Sequence, residues 1–184
     1  QEDLVNNILT ASQSMLQLVN ELLDMATIES GELKIDRKDT DLIELITKSI
    51  YFAKMNADKK GTTIDFNPPS EVANLSVDPD KIKQVVDNLL SNAIKYSPPK
   101  SVVSVEFTIT SSGQSISVKD QGPGIPDGER DKLFKDFGRL SVQPTGGEKS
   151  TGLGLAICRK IVEAHGATVA AKNLPNLGCE FKVT

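Results

Sequence analysis

Apolar residues near the start of the chain recur three and four positions apart. Val5, Ile8, Ser12, Met15, Val19, Leu22 and Ala26 form a heptad seam, and Leu9, Leu16 and Leu23 widen it on one side. The pattern predicts one amphipathic helix over 4–29, ending at Gly31. A stripe this broad suits a helix bundle better than a two-stranded coil, so a further helix or a second copy of the chain is expected to cover it. From Glu32 the pattern turns polar and reads as an extended linker over 33–40, closing on Asp41 as a capping residue. A second helix follows, with Leu42, Ile43, Leu45, Ile46, Ile50 and Phe52 as its apolar positions and Gly61 as its stop.

Beyond Gly61 the period alternates between two and 3.6. Strands are expected at 62–67 and 74–78. Asp78-Pro79 then opens a third helix that runs to about Tyr96 and halts before Pro98-Pro99. Val103, Val105, Phe107 and Ile109, then Ile116 and Val118, alternate as strands at 102–111 and 114–120, with Ser112-Gly113 as the turn between them. Residues 126–137 read as helix, 138–151 as a loop rich in Gly and Ser, and 152–165 as helix. Strands at 167–173 and 178–183 finish the chain. Together these elements describe a helical arm followed, from about residue 40, by a sandwich of helices and sheet, an α+β organisation.

Composition narrows the function classes. A chain of 184 residues with 38% hydrophobic content can build one real core plus an appendage. A formal net charge of -4 speaks against a nucleic-acid partner. No apolar run nears the roughly 20 residues of a membrane span, and no signal peptide opens the sequence. Cys158 and Cys179 lack metal-ligand spacing and are expected to be buried and reduced, as in a cytoplasmic protein. Gln1 in place of a Met points to a piece of a longer protein, which leaves a membrane anchor elsewhere open.

Four segments carry candidate chemistry. In NLLSNAIKYS, residues 88–97, helical spacing sets Asn88, Asn92, Lys95 and Tyr96 on one face, with Val85, Val86, Leu89, Leu90 and Ile94 on the other. Carboxamide oxygens ligate hard cations and an ammonium neutralises phosphate, so this face suits a magnesium triphosphate; a solvated helix face has the same pattern. In DQGPGIP, residues 120–126, Gly122 and Gly124 allow close backbone approach to a flat ligand beside Ile125, and the Asp120 carboxylate can accept from an exocyclic amine. A plain strand-to-helix turn reads similarly. In LFKDFGRLS, residues 133–141, Leu133, Phe134 and Phe137 are expected to bury and Arg139 to offer a movable positive charge to a γ-phosphate. In GGEKSTGLGLAI, residues 146–157, Gly152 and Gly154 precede a helix whose first amides form an anion site, with Thr151, Leu153 and Leu155 around them. The GxxxxGK[ST] pattern of a P-loop is absent.

In this order the four segments resemble the N, first glycine, F and second glycine boxes of sensor histidine kinases, members of the GHKL ATPase superfamily. The resemblance covers the chain from Asp41 onward. In addition, ELLDMATIESGEL, residues 21–33, resembles the end of the second helix of that family's dimerisation and phosphoacceptor hairpin. The resemblance implies a Bergerat-type ATP fold, with a mixed, mainly antiparallel sheet covered on one face by helices. It implies a partial hairpin helix over 1–32 and an ATP-binding catalytic domain over 41–184. It further implies ATP and Mg2+ as cofactors. Asn92 would ligate the metal with Asn88 beside it; Asn88, Lys95 and Arg139 would act in catalysis. Tyr96 would line the pocket, Asp120 would take the adenine amine, and the glycines would shape pocket and lid. The implied partners are the parent's own upstream phosphoacceptor histidine domain, a response-regulator receiver domain, and a second copy of the full-length protein.

Asn88 separates branches of the superfamily. Hydrolysing members carry a Glu four residues before the magnesium Asn as general base, and a carboxamide lacks useful basicity. Phosphoryl transfer needs positioning and charge neutralisation above all, which favours a kinase over an ATPase. A related ATPase or serine kinase and a non-catalytic nucleotide-sensing or dimerisation module are the alternatives. The chain departs from the family's pattern at Ser150, which replaces a Gly, with Gly147 as a compensating glycine. It also lacks the family's acceptor box. The one histidine, His165, is expected to be structural, so the segment should not phosphorylate itself.

Overall fold

The computed structural model describes the chain apart from Gln1, Ser70, Val72, Ser112, Gly147, Lys149, Asn176 and Leu177. It describes no side chain at residues 2–4, 6, 7, 9, 10, 13, 14 and 17. Leu9 of the seam, Ser112 of the hairpin signal and the compensating Gly147 therefore lie outside what is described. Chain contacts divide the molecule after Lys34 into two compact units.

The first unit is helix α1, Glu2–Glu29. Gly31 ends it with φ +73°, and the amides of Gly31 and Glu32 turn back to the carbonyls of Ile28 and Thr27. The seam positions Val5, Ile8, Ser12, Met15, Val19, Leu22 and Ala26 are all exposed.

The second unit opens with strand β1, Lys38–Asp41, at the end of the stretch expected as linker. It pairs antiparallel with β3, Asn74–Val77, in a two-stranded sheet. This pairing joins segments far apart in sequence and leaves no local signal. Asp41 Oδ1 accepts the amides of Ile43 and Glu44 and starts α2, Leu42–Lys60, which ends at the left-handed Gly61. After β2, Thr63–Phe66, and β3, Asp78 caps α3, Pro79–Tyr96, by accepting the amides of Asp80 and Lys81. Strands β4, Val102–Thr110, and β5, Gly113–Lys119, form the hairpin; α4, Gly154–Ala164, precedes β6, Val169–Asn173, and β7, Cys179–Val183.

The main sheet runs β2-β4-β5-β7-β6. Only β2 and β4 pair in parallel, with α3 on the crossover between them; the other neighbours are antiparallel. Period two sorts its faces. Val103, Val105, Phe107, Val118 and Phe181 are buried against the helices. On the other face, Lys119 pairs with Glu106 and Lys172 with Glu180, and Ser117 Oγ donates to Glu180 Oε1 at 2.5 Å. From the helices, Leu89, Leu90, Ile157, Ile161 and Val162 are fully buried, each contributing roughly 1.5–3 kcal/mol of transfer free energy. The expected mixed, mainly antiparallel sheet with helices on one face is therefore present.

One expected helix is absent. Within 126–137 only a single 3₁₀ turn, Arg130–Lys132, forms. Gly128 sits at φ +78° and Phe137 at φ +57°, conformations that an α-helix cannot contain. Leu133 buries and Phe134 meets Phe181 edge-on at 6.5 Å, as the apolar pattern implied. Phe137, expected to bury with them, is 62% exposed because its left-handed backbone turns it outward. The last helix likewise starts two residues later than expected, after Gly152 at φ +80°.

Candidate nucleotide site

Helix α3 supplies the floor of the site. Its apolar face anchors it in the core, so Asn88, Asn92, Lys95 and Tyr96 emerge together, half-buried, on the opposite face. None of these four side chains makes a hydrogen bond or ion pair with a described residue, and the same holds for the exposed Arg139. Two carboxamides and two cations thus stand uncommitted, with their polar groups available to a ligand.

The glycine segments close on this helix. At Gly154, the first residue of α4, an added Cβ would lie 3.2 Å from Asn88 Oδ1, so the start of α4 faces the carboxamide directly. No side chain caps that helix start; Leu153 stands at the N-cap, buried, its own amide bonded to Thr151 Oγ1 at 3.3 Å. Leu155 follows, half-buried, in the first turn. The unpaired amides there carry the positive end of the helix dipole toward Asn88. At Gly152 a Cβ would meet the carbonyl oxygen of Gly138 at 3.0 Å and Cγ of Arg139 at 3.3 Å. Arg139 is thereby held beside the same helix start. Gly122 lies against the end of α3, where a Cβ would reach the Tyr96 carbonyl oxygen at 2.9 Å.

Asp120 directly follows β5 and is only 5% exposed. Its Oδ1 accepts the amides of Gly122 at 2.8 Å and Cys179 at 3.2 Å, and its Oδ2 accepts the Cys179 thiol at 2.9 Å. Burial, with the Asp120 charge added, pushes the Cys179 thiol far above its ordinary pKa, so this group is a proton donor. Gly178 makes the approach possible: at φ +96°, a Cβ there would overlap the Asp120 carbonyl oxygen at 1.9 Å. Beyond Gly124, the Asn173 amide brackets Ile125, accepting its N–H at 2.7 Å and donating to its carbonyl at 2.9 Å. Ile125 is buried.

The loop between Arg139 and α4 is stitched to α3. The Thr145 amide donates to the Lys95 carbonyl at 3.0 Å and its hydroxyl to the Ser97 carbonyl at 2.5 Å. Lys60, half-buried at the end of α2, donates to the carbonyls of Ile94 and Lys95, both at 2.8 Å, and pairs with Glu148 of the loop at 3.3 Å. Glu129 Oε2 accepts the Ser141 amide at 2.8 Å, and that bond, together with the Ser141 hydroxyl and Lys132, holds the Glu129 carboxyl below its usual range despite some burial.

All fourteen residues singled out from the sequence fall on the elements of this site: Asn88, Asn92, Lys95 and Tyr96 on α3; Asp120, Gly122, Gly124 and Ile125 after β5; Arg139 in the loop; Thr151, Gly152, Leu153, Gly154 and Leu155 at the start of α4. Gly178, Asn173 and Lys60 have no local signal for this site, and Cys179 is expected from the sequence only as a buried, reduced thiol, which it is. They act through contacts between segments 34 to 88 residues apart, which no local motif encodes. His165 lies outside the site. Its Nδ1 meets the Ile161 carbonyl of its own helix at 2.8 Å and its Nε2 accepts the Asp78 amide at 3.1 Å, so both ring nitrogens are engaged and Nε2 ties the end of α4 to the cap of α3.

Known proteins match this arrangement. Residues 77–184 match the family model described as histidine kinase-, DNA gyrase B-, and HSP90-like ATPase. The sensor protein kinase WalK of Staphylococcus saprophyticus is 36% identical over 177 residues, covering 94% of this chain and 28% of its own length. The sensor protein KdpD of Escherichia coli is 33% identical over 168 residues, 91% of this chain and 18% of KdpD. The chain therefore spans less than a third of either relative. Among solved structures, full-length ShkA in complex with AMPPNP superimposes with a TM-score of 0.83 at 25% identity, covering all of this chain and 38% of ShkA. With a matching model over more than half its length, the chain belongs to the histidine kinase-, DNA gyrase B- and HSP90-like ATPase family.

Proposed function

We propose that this chain is the ATP-binding catalytic part of a two-component sensor histidine kinase. It would pass the γ-phosphate to a histidine on a segment of the parent protein outside this chain. The observation that carries the reading is the uncommitted polar face of α3 opposite the uncapped start of α4. The donor set fits magnesium-ATP: among the described residues no group of three His, Cys, Asp or Glu gathers around a metal position, whereas free carboxamide oxygens do stand on α3. A cation held by an amide oxygen needs its remaining ligands from phosphate and water, as magnesium with a nucleotide does. When bound, the metal nucleotide supplies the transferable phosphoryl group and charge neutralisation on its oxygens.

The chain's own residues then divide the work. Asn92, with Asn88 beside it, holds the cation; Asp120 accepts the exocyclic amine of adenine while Gly122 and Gly124 let the base lie close to backbone. Tyr96 lines the pocket at the end of α3. Lys95, Arg139 and the amides at the start of α4 neutralise the phosphate oxygens, a large part of what phosphoryl transfer asks of a protein. Asn88 accepts no proton, so water at that position is not activated and transfer is favoured over hydrolysis. His165, with both nitrogens occupied, is not a nucleophile. The parent's phosphoacceptor domain, a response-regulator receiver domain and a second parent copy are the partners this reading assigns. Residues 1–32 serve as the second hairpin helix, 33–40 as linker and 41–184 as the catalytic domain. The assigned location is the cytoplasm.

The test is incubation of the chain with γ-labelled ATP. It should gain no acid-labile phosphate and release phosphate no faster than buffer. Rapid phosphate release would favour the ATPase alternative, and robust self-labelling would overturn the assignment of His165.

A further inference from the structure

We propose that Cys179 is a positioning residue of the base site: its thiol and amide together orient the Asp120 carboxylate, and thereby set the preference for a base that presents an amine. The proposal rests on the reading that Asp120 receives the nucleotide base. Three donors converge on that carboxylate. The Gly122 and Cys179 amides both go to Oδ1, whereas Oδ2 has the Cys179 thiol as its donor at 2.9 Å. Main-chain contact locks the two residues further, because the Asp120 amide donates to the Cys179 carbonyl at 2.9 Å. Both side chains are buried, at 5% and 7% exposure, so water does not readily replace a lost donor.

The direction of the thiol bond matters. A protonated thiol donates, so Asp120 presents only acceptors to whatever enters. One lone pair of Oδ2 is engaged by the thiol and the other is left for an exocyclic amine. Adenine offers a donor at that position. Hypoxanthine offers a carbonyl, which would face the carboxylate acceptor to acceptor. Without the thiol, Oδ2 loses its donor and the carboxylate is held only through the amides on Oδ1, so the geometry that rewards the amine is held less firmly. A serine hydroxyl in this place would donate in the same sense.

The test compares ATP with inosine triphosphate by calorimetry, in the presence of magnesium, for the unaltered chain and for Cys179→Ser, Cys179→Ala and Cys179→Val. Valine fills the thiol's volume and suits a strand, so it guards against an alanine variant that fails to fold; thermal unfolding checks each protein. Cys179→Ser should hold the ATP affinity within about twofold. Alanine or valine should weaken ATP about tenfold while leaving inosine triphosphate within about twofold, so that the preference narrows about tenfold. An unchanged ratio of the two affinities in the folded donor-less variants, or an equal loss of both, would overturn the positioning role while leaving the ATP site standing. Failure of the unaltered chain to bind ATP would overturn the base site itself.

Discussion

Asp78 shows how a single residue serves two neighbours. Its Oδ1 accepts the first amides of α3, its Oδ2 accepts the Asp36 amide at 3.0 Å, and its own amide is held by His165. Burial pushes the carboxyl up, but the amides of Asp36, Lys81 and Asp80 and the nearby imidazole outweigh that and hold it below its usual range. A lowered carboxylate stabilises the fold fully above the unfolded value of about 3.9, and the contribution is lost as pH falls through the folded value. Thermal unfolding of the chain should therefore weaken below about pH 4, and Asp78→Asn should flatten that acid limb. Asp78→Ala should cost about 1 kcal/mol of cap energy at neutral pH. An acid limb of unchanged steepness in Asp78→Asn would place the titrating group elsewhere. The cap itself was legible from Asp-Pro before an apolar helix. The lock by His165 was not, because it joins residues 87 apart.

At the scale of elements, boundaries were readable wherever a cap or a stop residue stood beside a clear period. Asp41, Gly61, Asp78 and Gly31 fix the ends of α1, α2 and α3, and alternation fixes β4 and β5. At 126–137 the apolar spacing suggests a helix, but Gly128 and Phe137 take left-handed conformations that break it. Leu133 buries and Phe134 meets Phe181 without a helix to carry them, so tertiary packing overrides the local period here. The loop from 138 to 153 was legible as a loop, yet its attachment through Lys60 and Glu148 was not. Lys60→Ala should release that attachment. Hydrogen exchange of described amides within 145–153 should rise several-fold, in step with losing roughly 1 kcal/mol of a half-buried charged contact. Exchange unaltered by Lys60→Ala would show that Thr145 alone holds the loop. The candidate site was legible as residue types on a helical face and between glycines. Its seat for Asp120, built from Gly178 and Cys179, depends on β7 lying beside β5 and could not be read locally.

At the scale of the whole molecule, the chain has two units: a helix with an exposed apolar stripe, and a sandwich that carries the nucleotide site. The stripe belongs to the proposed role as half of a hairpin, whereas the residues of the candidate site all lie in the second unit. None of the helices among the described residues is long and apolar enough to cross a membrane. In the proposed function the α3 face and Asp120 hold magnesium-ATP. Calorimetry with ATP tests it most directly, run with and without magnesium on the unaltered chain, Asn92→Asp and Asp120→Asn. Asn92→Asp sets a negative charge against the triphosphate, and Asp120→Asn puts a donor where the base amine needs an acceptor. Magnesium-dependent binding in the micromolar range, about -8 kcal/mol, is expected, with a loss of at least about a hundredfold in both variants and the fold retained. No heat with the unaltered chain, or unaltered affinity in both variants, would contradict it.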